Sequence, residues 1–264
     1  MFRYVLILTL AAPLAAQELF PRLSLTASSA PSEFETNVRI DPDDGSDEGT
    51  LVSFERDLGL ADSRTLPRFT LQWRPFARHE LAATHFNASR EGFEVIDREI
   101  VFRDEVYPVQ AVVTTQFDLD YWSATYTYWA RRSDRDGIGI TLGVATLAFD
   151  AAILAETAGS SVTITQEAET DVPVALAGLQ GRVAFTNRIH GEASVSTLPR
   201  VTIGDYTGSA LTGGARVEYR PLRWLGIGAS YNYFRLDVDV AQADLSGSLE
   251  MKIQGPEAYV RLAF

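Results

Sequence analysis

The last residues of the chain alternate without a break. Ala258, Val260, Leu262 and Phe264 share one face, and Glu257, Tyr259, Arg261 and Ala263 share the other. A period of two with one apolar and one polar side is the signature of a β-strand lying between two different environments. Ending on such a strand constrains the fold, because an open strand edge must be paired. Closing the last strand against the first removes that edge.

The other end carries a different signal. Residues 1–16 read as a signal peptide: Arg3 is the charged start, 4–14 the apolar run, and Ala15 and Ala16 the small residues before the cut. A retained membrane helix needs about 20 apolar residues, more than this run has. The mature domain is then 17–264. With no cysteine, the chain has no lipid-anchor site, disulfide or thiolate metal ligand. The net charge of −12 argues against nucleic acid, which is bound by neutralising phosphates with Lys and Arg.

Between the ends, alternating segments recur. Leu23 and Leu25 oppose Ser24 and Thr26. Phe69, Leu71 and Trp73 oppose Thr70, Gln72 and Arg74. Ile138, Ile140, Leu142 and Val144 oppose Thr141. Leu179, Val183 and Phe185 oppose Gln180 and Arg182. Leu211, Ala215, Val217 and Tyr219 oppose Arg216 and Glu218, and Ile227, Ala229, Tyr231 and Tyr233 oppose Ser230 and Asn232. Four short connections separate them: 74–80 (RPFARHE), 130–137 (ARRSDRDG), 186–192 (TNRIHGE) and 220–225 (RPLRWL). Longer polar stretches lie between, at 41–49, 97–107, 156–171, 199–209 and 241–247. Four short turns and both termini on one side predict ten strands, with eight or twelve as alternatives. The strand from Leu81 is the least regular, because His85 shares a face with Leu81 and Ala83.

Aromatic residues fall at strand ends. Trp73, Tyr128, Trp129, Phe185, Tyr219, Trp224 and Phe264 lie near the short turns, and Tyr121, Trp122, Tyr231 and Tyr233 about one membrane-strand length, ~9–11 residues, away. Two belts of this kind mark the two interfaces of a bilayer. Two segments change parity beyond this zone: Val144 gives way to Leu147 and Phe149, and Tyr233 to Leu236, Val238 and Val240. A bulge, or a wall continued above the membrane, accounts for that.

The leader, the alternating strands and the ending AYVRLAF resemble the Gram-negative outer-membrane β-barrel superfamily. FERDLGLADS (54–63), GEASVSTLPRVTIGDYTGS and YRPLRWLGIGASYNYFRLDVDV (219–240) look like an uncharacterised subgroup. The resemblance implies a closed antiparallel transmembrane barrel in the outer membrane. It further implies contact with outer-membrane lipid and lipopolysaccharide, and barrel-assembly machinery that reads Phe264 as an assembly signal. It carries no activity, since one barrel shape serves many functions.

Candidate chemistry is sparse. Ten-stranded omptin proteases use an Asp pair and an Asp–His pair at the rim. Asp118 and Asp120, and Asp237 and Asp239, are Asp-x-Asp pairs, but His79, His85 and His190 have no Asp two residues before them. Outer-membrane lipid A deacylases need a Ser two residues after a His on one strand face; after His85 that position is Asn87. Asp41, Asp43, Asp44, Asp47 and Glu48 form an acidic loop that is a weak metal candidate, without the spacing of a twelve-residue calcium loop. Arg74, Arg182, Arg216, Glu218, Glu257 and Arg261 are expected to line the lumen, with Glu192, and to pair across it. The expectation is a monomeric, non-enzymatic barrel without cofactor, with long acidic extracellular loops and a scaffold or surface-interaction role. The alternatives are a narrow channel for small solutes and an enzyme acting on lipid or peptide at the rim.

Overall fold

The computed structural model describes residues 19–41, 49–102, 105–107, 109–156, 163–242 and 245–264; the expected signal peptide, 1–16, lies outside the described residues. The elements are β1 (Leu23–Ile40), β2 (Val52–Ser53), α1 (Phe54–Asp57), β3 (Ser63–Phe76), β4 (His79–Val95), β5 (Ile100–Phe102), β6 (Glu105–Tyr107), β7 (Val112–Arg132), β8 (Asp136–Glu156), β9 (Thr163–Ala184), β10 (Ile189–Ile203), β11 (Tyr206–Tyr219), β12 (Leu225–Gln242) and β13 (Leu245–Ala263). Ten of them, β1, β3, β4 and β7 to β13, pair antiparallel in chain order, and β13 returns to β1. The closing ladder runs from Ser24↔Ala263 to Ile40↔Gly247. Every strand of the ring thus has two neighbours over at least part of its length, as a membrane span requires.

The four short turns and both described ends meet at one rim. Backbone hydrogen bonds link each turn to the next around it: Arg22 N–H to Phe264 O (2.9 Å), Ala263 to Trp224 (2.9 Å), Arg220 to Arg188 (2.8 Å), Ala184 to Arg135 (2.7 Å), Trp129 to Arg78 (2.8 Å) and Arg74 back to Arg22 (2.8 Å). The turns are short because each joins adjacent antiparallel strands.

The wall has two zones. Near the short turns, apolar side chains point out: Leu71, Leu142, Val217 and Ile227 are about half exposed, and polar partners point in. Farther up, the facing is unchanged but the composition inverts. Phe117, Leu119, Leu147, Phe149, Leu236 and Met251 are buried inside, while Asp118, Asp120 and Asp150 occupy the outward positions between them. Register runs through Val144 to Phe149 and through Tyr233 to Val240 without a shift. The parity change in the sequence is therefore a wall continued with its polar side outward, and no bulge is involved. The strands have 14 to 22 residues, against the ~9–11 a bilayer needs. Where the outer surface is polar, the interior is free to be an apolar core.

Two expectations are corrected. Most of the polar stretches read as long loops are strand: 199–209 belongs to β10 and β11 around a tight turn at Gly204 and Asp205, with Gly204 at φ +62°. Likewise 241–247 is largely the β12–β13 hairpin, and β9 already begins at Thr163. Substantial outer connections remain at 41–62, carrying β2 and α1, and at 96–111, carrying the β5–β6 hairpin. Second, Trp129 and Tyr121 do not join the aromatic belts. Both point inward, Trp129 fully buried and Tyr121 against Phe86 with ring centroids 4.5 Å apart. Their neighbours Tyr128 and Trp122 take the outward positions.

Candidate functional site

The interior is a stack of three layers. The lowest is a charged floor. Glu80, at the start of β4, has the inward parity of Ala82 and Thr84. It accepts both guanidinium ends of Arg182 on β9, at 2.8 and 2.6 Å. Arg182 also donates to Glu192 on β10 (2.6 Å), which takes a further bond from Arg216 on β11 (2.6 Å) and one from Gln180 (2.9 Å). Arg261 on β13 donates to Ser24 (3.0 Å) and Gln72 (2.9 Å) and lies 3.6 Å from Glu218, which also pairs with Arg220. Seven strands thus contribute to one network, with Arg182, Glu80, Glu218 and Arg261 all nearly fully buried.

The residues just before β1 turn into this floor. Leu19 and Phe20 are buried, and Phe20 sits edge-on to Trp129 at 4.8 Å. Arg182 lies over Trp129 at 4.7 Å. Arg74 donates to the carbonyl oxygens of Phe20 and Pro21, the latter at 3.2 Å, holding the segment in the mouth of the barrel. Leu19 and Phe20 follow the predicted cleavage site too closely for a strand pattern to show.

Above the floor is a chamber of about 270 Å³. Hydroxyls line it, among them Thr26, Thr70, Thr127, Thr141, Ser194 and Ser230, with Glu257 held by Arg68 (2.9 Å) and Ser28 (3.0 Å) on its wall. Above the chamber lies the apolar core, into which the connection after β1 inserts Val52, Phe54, Leu58 and Leu60. The Ser53 hydroxyl caps α1 at Arg56 N–H (3.4 Å), and Asp57 accepts from Ser53 N–H (2.8 Å) and from Arg98 (2.6 Å). Burial pushes the Asp57 carboxyl up, but the Ser53 amide and Arg98 outweigh it and hold it below its ordinary value, so it stays an anionic anchor at neutral pH.

All six lumen candidates therefore face inward: Arg74, Arg182, Arg216, Glu218, Glu257 and Arg261. Glu80, Gln72, Ser24 and Arg220 belong with them and were not singled out by sequence; for Glu80, the parity of β4 was the available signal. The Asp pairs behave otherwise. Asp118 and Asp120 on β7 and Asp237 and Asp239 on β12 lie on the outer wall, on strands five places apart in a ring of ten. They cannot converge on one water. Asp237 pairs with Arg235 (3.0 Å) and Asp239 with Arg200.

His85 is on the outer face too, stacked on Trp122 at 4.1 Å and 3.2 Å from Asp120, with Asn87 and Ser89 at outward positions beyond it. His79 bonds the Tyr126 hydroxyl (2.7 Å) outside the wall, and His190 is buried in the floor. In the acidic loop, Asp41 has both oxygens engaged, by Gly49 N–H and the Ser246 hydroxyl, each at 2.9 Å. Asp43, Asp44, Asp47 and Glu48 lie outside the described residues. Among the described residues no group of three or more His, Asp or Glu side chains could hold a metal ion.

No protein-family model matches the chain, and no curated protein matches its sequence. Solved structures do match. The outer-membrane protease OmpT of Escherichia coli superposes with TM-score 0.58 at 7% identity, over 92% of this chain and 96% of that one. The transport unit of the autotransporter AIDA-I of Escherichia coli gives 0.44 at 6% identity, over 92% and 90%. Ail of Yersinia pestis, solved with the heparin analogue sucrose octasulfate, gives 0.35 at 10% identity, over 90% and 99%. The OmpT likeness establishes the fold and carries no activity. The fold is a closed, ten-stranded antiparallel barrel like that of this outer-membrane protease.

Proposed function

We propose that the protein is a closed, non-conducting and non-enzymatic outer-membrane barrel that works through its outer surface and extracellular rim. The observation that carries this reading is the filling of the interior. The ionic floor with Leu19 and Phe20 blocks one end, and the apolar core with the inserted Phe54 and Leu60 blocks the other. Charges that pair across a narrow lumen leave little free path for solutes.

Purified protein inserted in a planar bilayer should show no sustained conductance. Insertion is verified separately by the heat-modifiable gel mobility of a folded barrel. Stable ohmic steps from verified protein would overturn the reading. They would favour the second one, a narrow channel, for which the hydroxyl-lined chamber is the supporting observation. Lipid A and peptide substrates should pass through incubation unchanged; turnover of either would mean an enzyme of the rim.

The partners that fit this reading are outer-membrane lipid, lipopolysaccharide around the belt, and barrel-assembly machinery during insertion, with the protein acting as a monomer. Phe264 lies half exposed beside the rim of short turns, accessible to such machinery. Deleting Phe264 should lower the insertion yield in cells far more than it lowers the stability of barrel already folded in detergent. Normal membrane levels of the truncated chain at low expression would reject the assembly role.

A further inference from the structure

The upper wall is not a continuous ladder. β3 pairs with β4 only up to Arg68↔Phe86, whereas β4 runs on to Val95. On the other side, β1 pairs with β3 up to Glu33↔Ser63 and then runs on to Ile40. The space between these two extensions is occupied by the segment 51–62. Among the described residues its backbone links to the wall are few: Asn37↔Ser53 and Val38↔Val52 to β1, Phe34 N–H to Asp62 O (2.7 Å), and the isolated bridge Leu60↔Gly92 to β4. By contrast β7 and β8 pair from Arg132↔Gly137 to Val112↔Glu156 with one irregularity near the turn. The ladder also parts between β9 and β10 above Ala177↔Thr197. The β1–β4 seam differs in what crosses it.

Arg90, on the inner face of β4, is fully buried and reaches across. It donates to Glu55 of α1 (2.5 Å), to the Ala61 carbonyl (3.4 Å) and to the Thr36 hydroxyl on β1 (3.0 Å). The other Glu55 oxygen accepts Thr36 N–H at 2.8 Å. The guanidinium lies between the rings of Phe34 (4.4 Å) and Phe117 (5.0 Å). One buried ion pair therefore joins the inserted segment, β1 and β4. Backbones meet closely beneath it: a Cβ on Gly92 would come within 2.6 Å of the Leu58 carbonyl. Local opening is least costly where few backbone bonds must break together, and such an opening here would uncover the apolar interior to the side.

We propose that the segment 51–62 is a strap over a lateral seam of the upper wall, latched by Glu55 and Arg90, and that it opens as a unit while the rest of the barrel stays closed. The proposal is independent of whether the lumen conducts. Opening uncovers Phe34, Phe117 and Leu119 together with the Arg90 guanidinium that lies over the two rings.

The chain has no cysteine, so single cysteines report accessibility directly. Leu60→Cys lies in the strap; Leu147→Cys is equally buried in β8. In protein reconstituted in lipid and treated from outside with a membrane-impermeant maleimide, Leu60→Cys should react at least about tenfold faster than Leu147→Cys. Adding Glu55→Gln should accelerate Leu60→Cys by about another tenfold and leave Leu147→Cys unchanged. Equal rates, or equal acceleration of both, would overturn the proposal. Hydrogen exchange on the unsubstituted protein covers the case in which a cysteine variant does not fold. The Phe34 and Thr36 amides, whose bonds to Asp62 and Glu55 cross the seam, should then exchange well before those of β7 and β8, and simultaneous exchange would count against the strap.

Discussion

Arg182→Met should destabilise the folded barrel by about 3–5 kcal/mol, the cost of breaking a buried ion pair by removing one partner. Arg182 is the hub of the floor, with both Glu80 oxygens and one of Glu192 on its guanidinium. Without it, Glu192 keeps Arg216 and Gln180. Glu80 keeps a bond from Gln72 at 3.5 Å, so its charge stays buried with little compensation. The double variant Arg182→Met with Glu80→Met removes both charges and should recover most of the loss, because an apolar pair of similar volume is often neutral in place of a buried salt bridge. Urea unfolding in detergent measures both. A single-variant cost below about 1 kcal/mol would place the pair in the range of solvated surface pairs. Costs that simply add in the double variant would show that the two residues are uncoupled.

Leu142→Arg should cost about 2–4 kcal/mol of folding free energy in lipid, the range for a cation at the bilayer midplane on the lipid face. Leu142 is 56% exposed on the outer wall and sits between Ile138 and Ile140 on one side and Val144 on the other. Its cross-strand partners are Tyr126 and Ala177, so the new charge has no counter-ion beside it. The cost should depend on depth. Thr146→Arg, four residues up the same face, should cost about 0–1 kcal/mol, because the side chain reaches the interface. Equal costs at 142 and 146 would mean that the apolar band is not where its exposed side chains place it.

The zone with apolar side chains outward was legible in the sequence because two different environments sort side chains by strand parity. Leu71, Val217 and Leu262 took the outward side, and Arg74, Arg216 and Arg261 the inward side, on alternation alone. The short turns gave the strand number for a related reason: a tight antiparallel connection needs turn residues, and those interrupt the alternation. Parity also carries further than residue type does. Had it been followed from Thr84 down to Glu80, or from Thr127 to Trp129, both would have been placed inside. Reading Trp129 as a belt residue by its chemistry alone gave the wrong face.

What sequence could not determine lies where that sorting stops or where distance along the chain is large. In the upper zone the outer wall is polar, so Pro199 to Ser209 looks like a loop although backbone pairing makes it strand. The pairing of Glu80 with Arg182 joins residues 102 positions apart and exists only because β4 and β9, three places apart in the ring, both turn these side chains into one lumen. No local pattern showed that Phe54, Leu58 and Leu60 would be buried, or against what. That was decided by β3 ending at Ser63 between two longer neighbours, leaving a gap in the wall which the segment and Arg90 fill. Local alternation sets which way each side chain faces. Ring closure alone sets which side chains meet, because contacts across a barrel depend on strand order and register and leave no local pattern in the sequence.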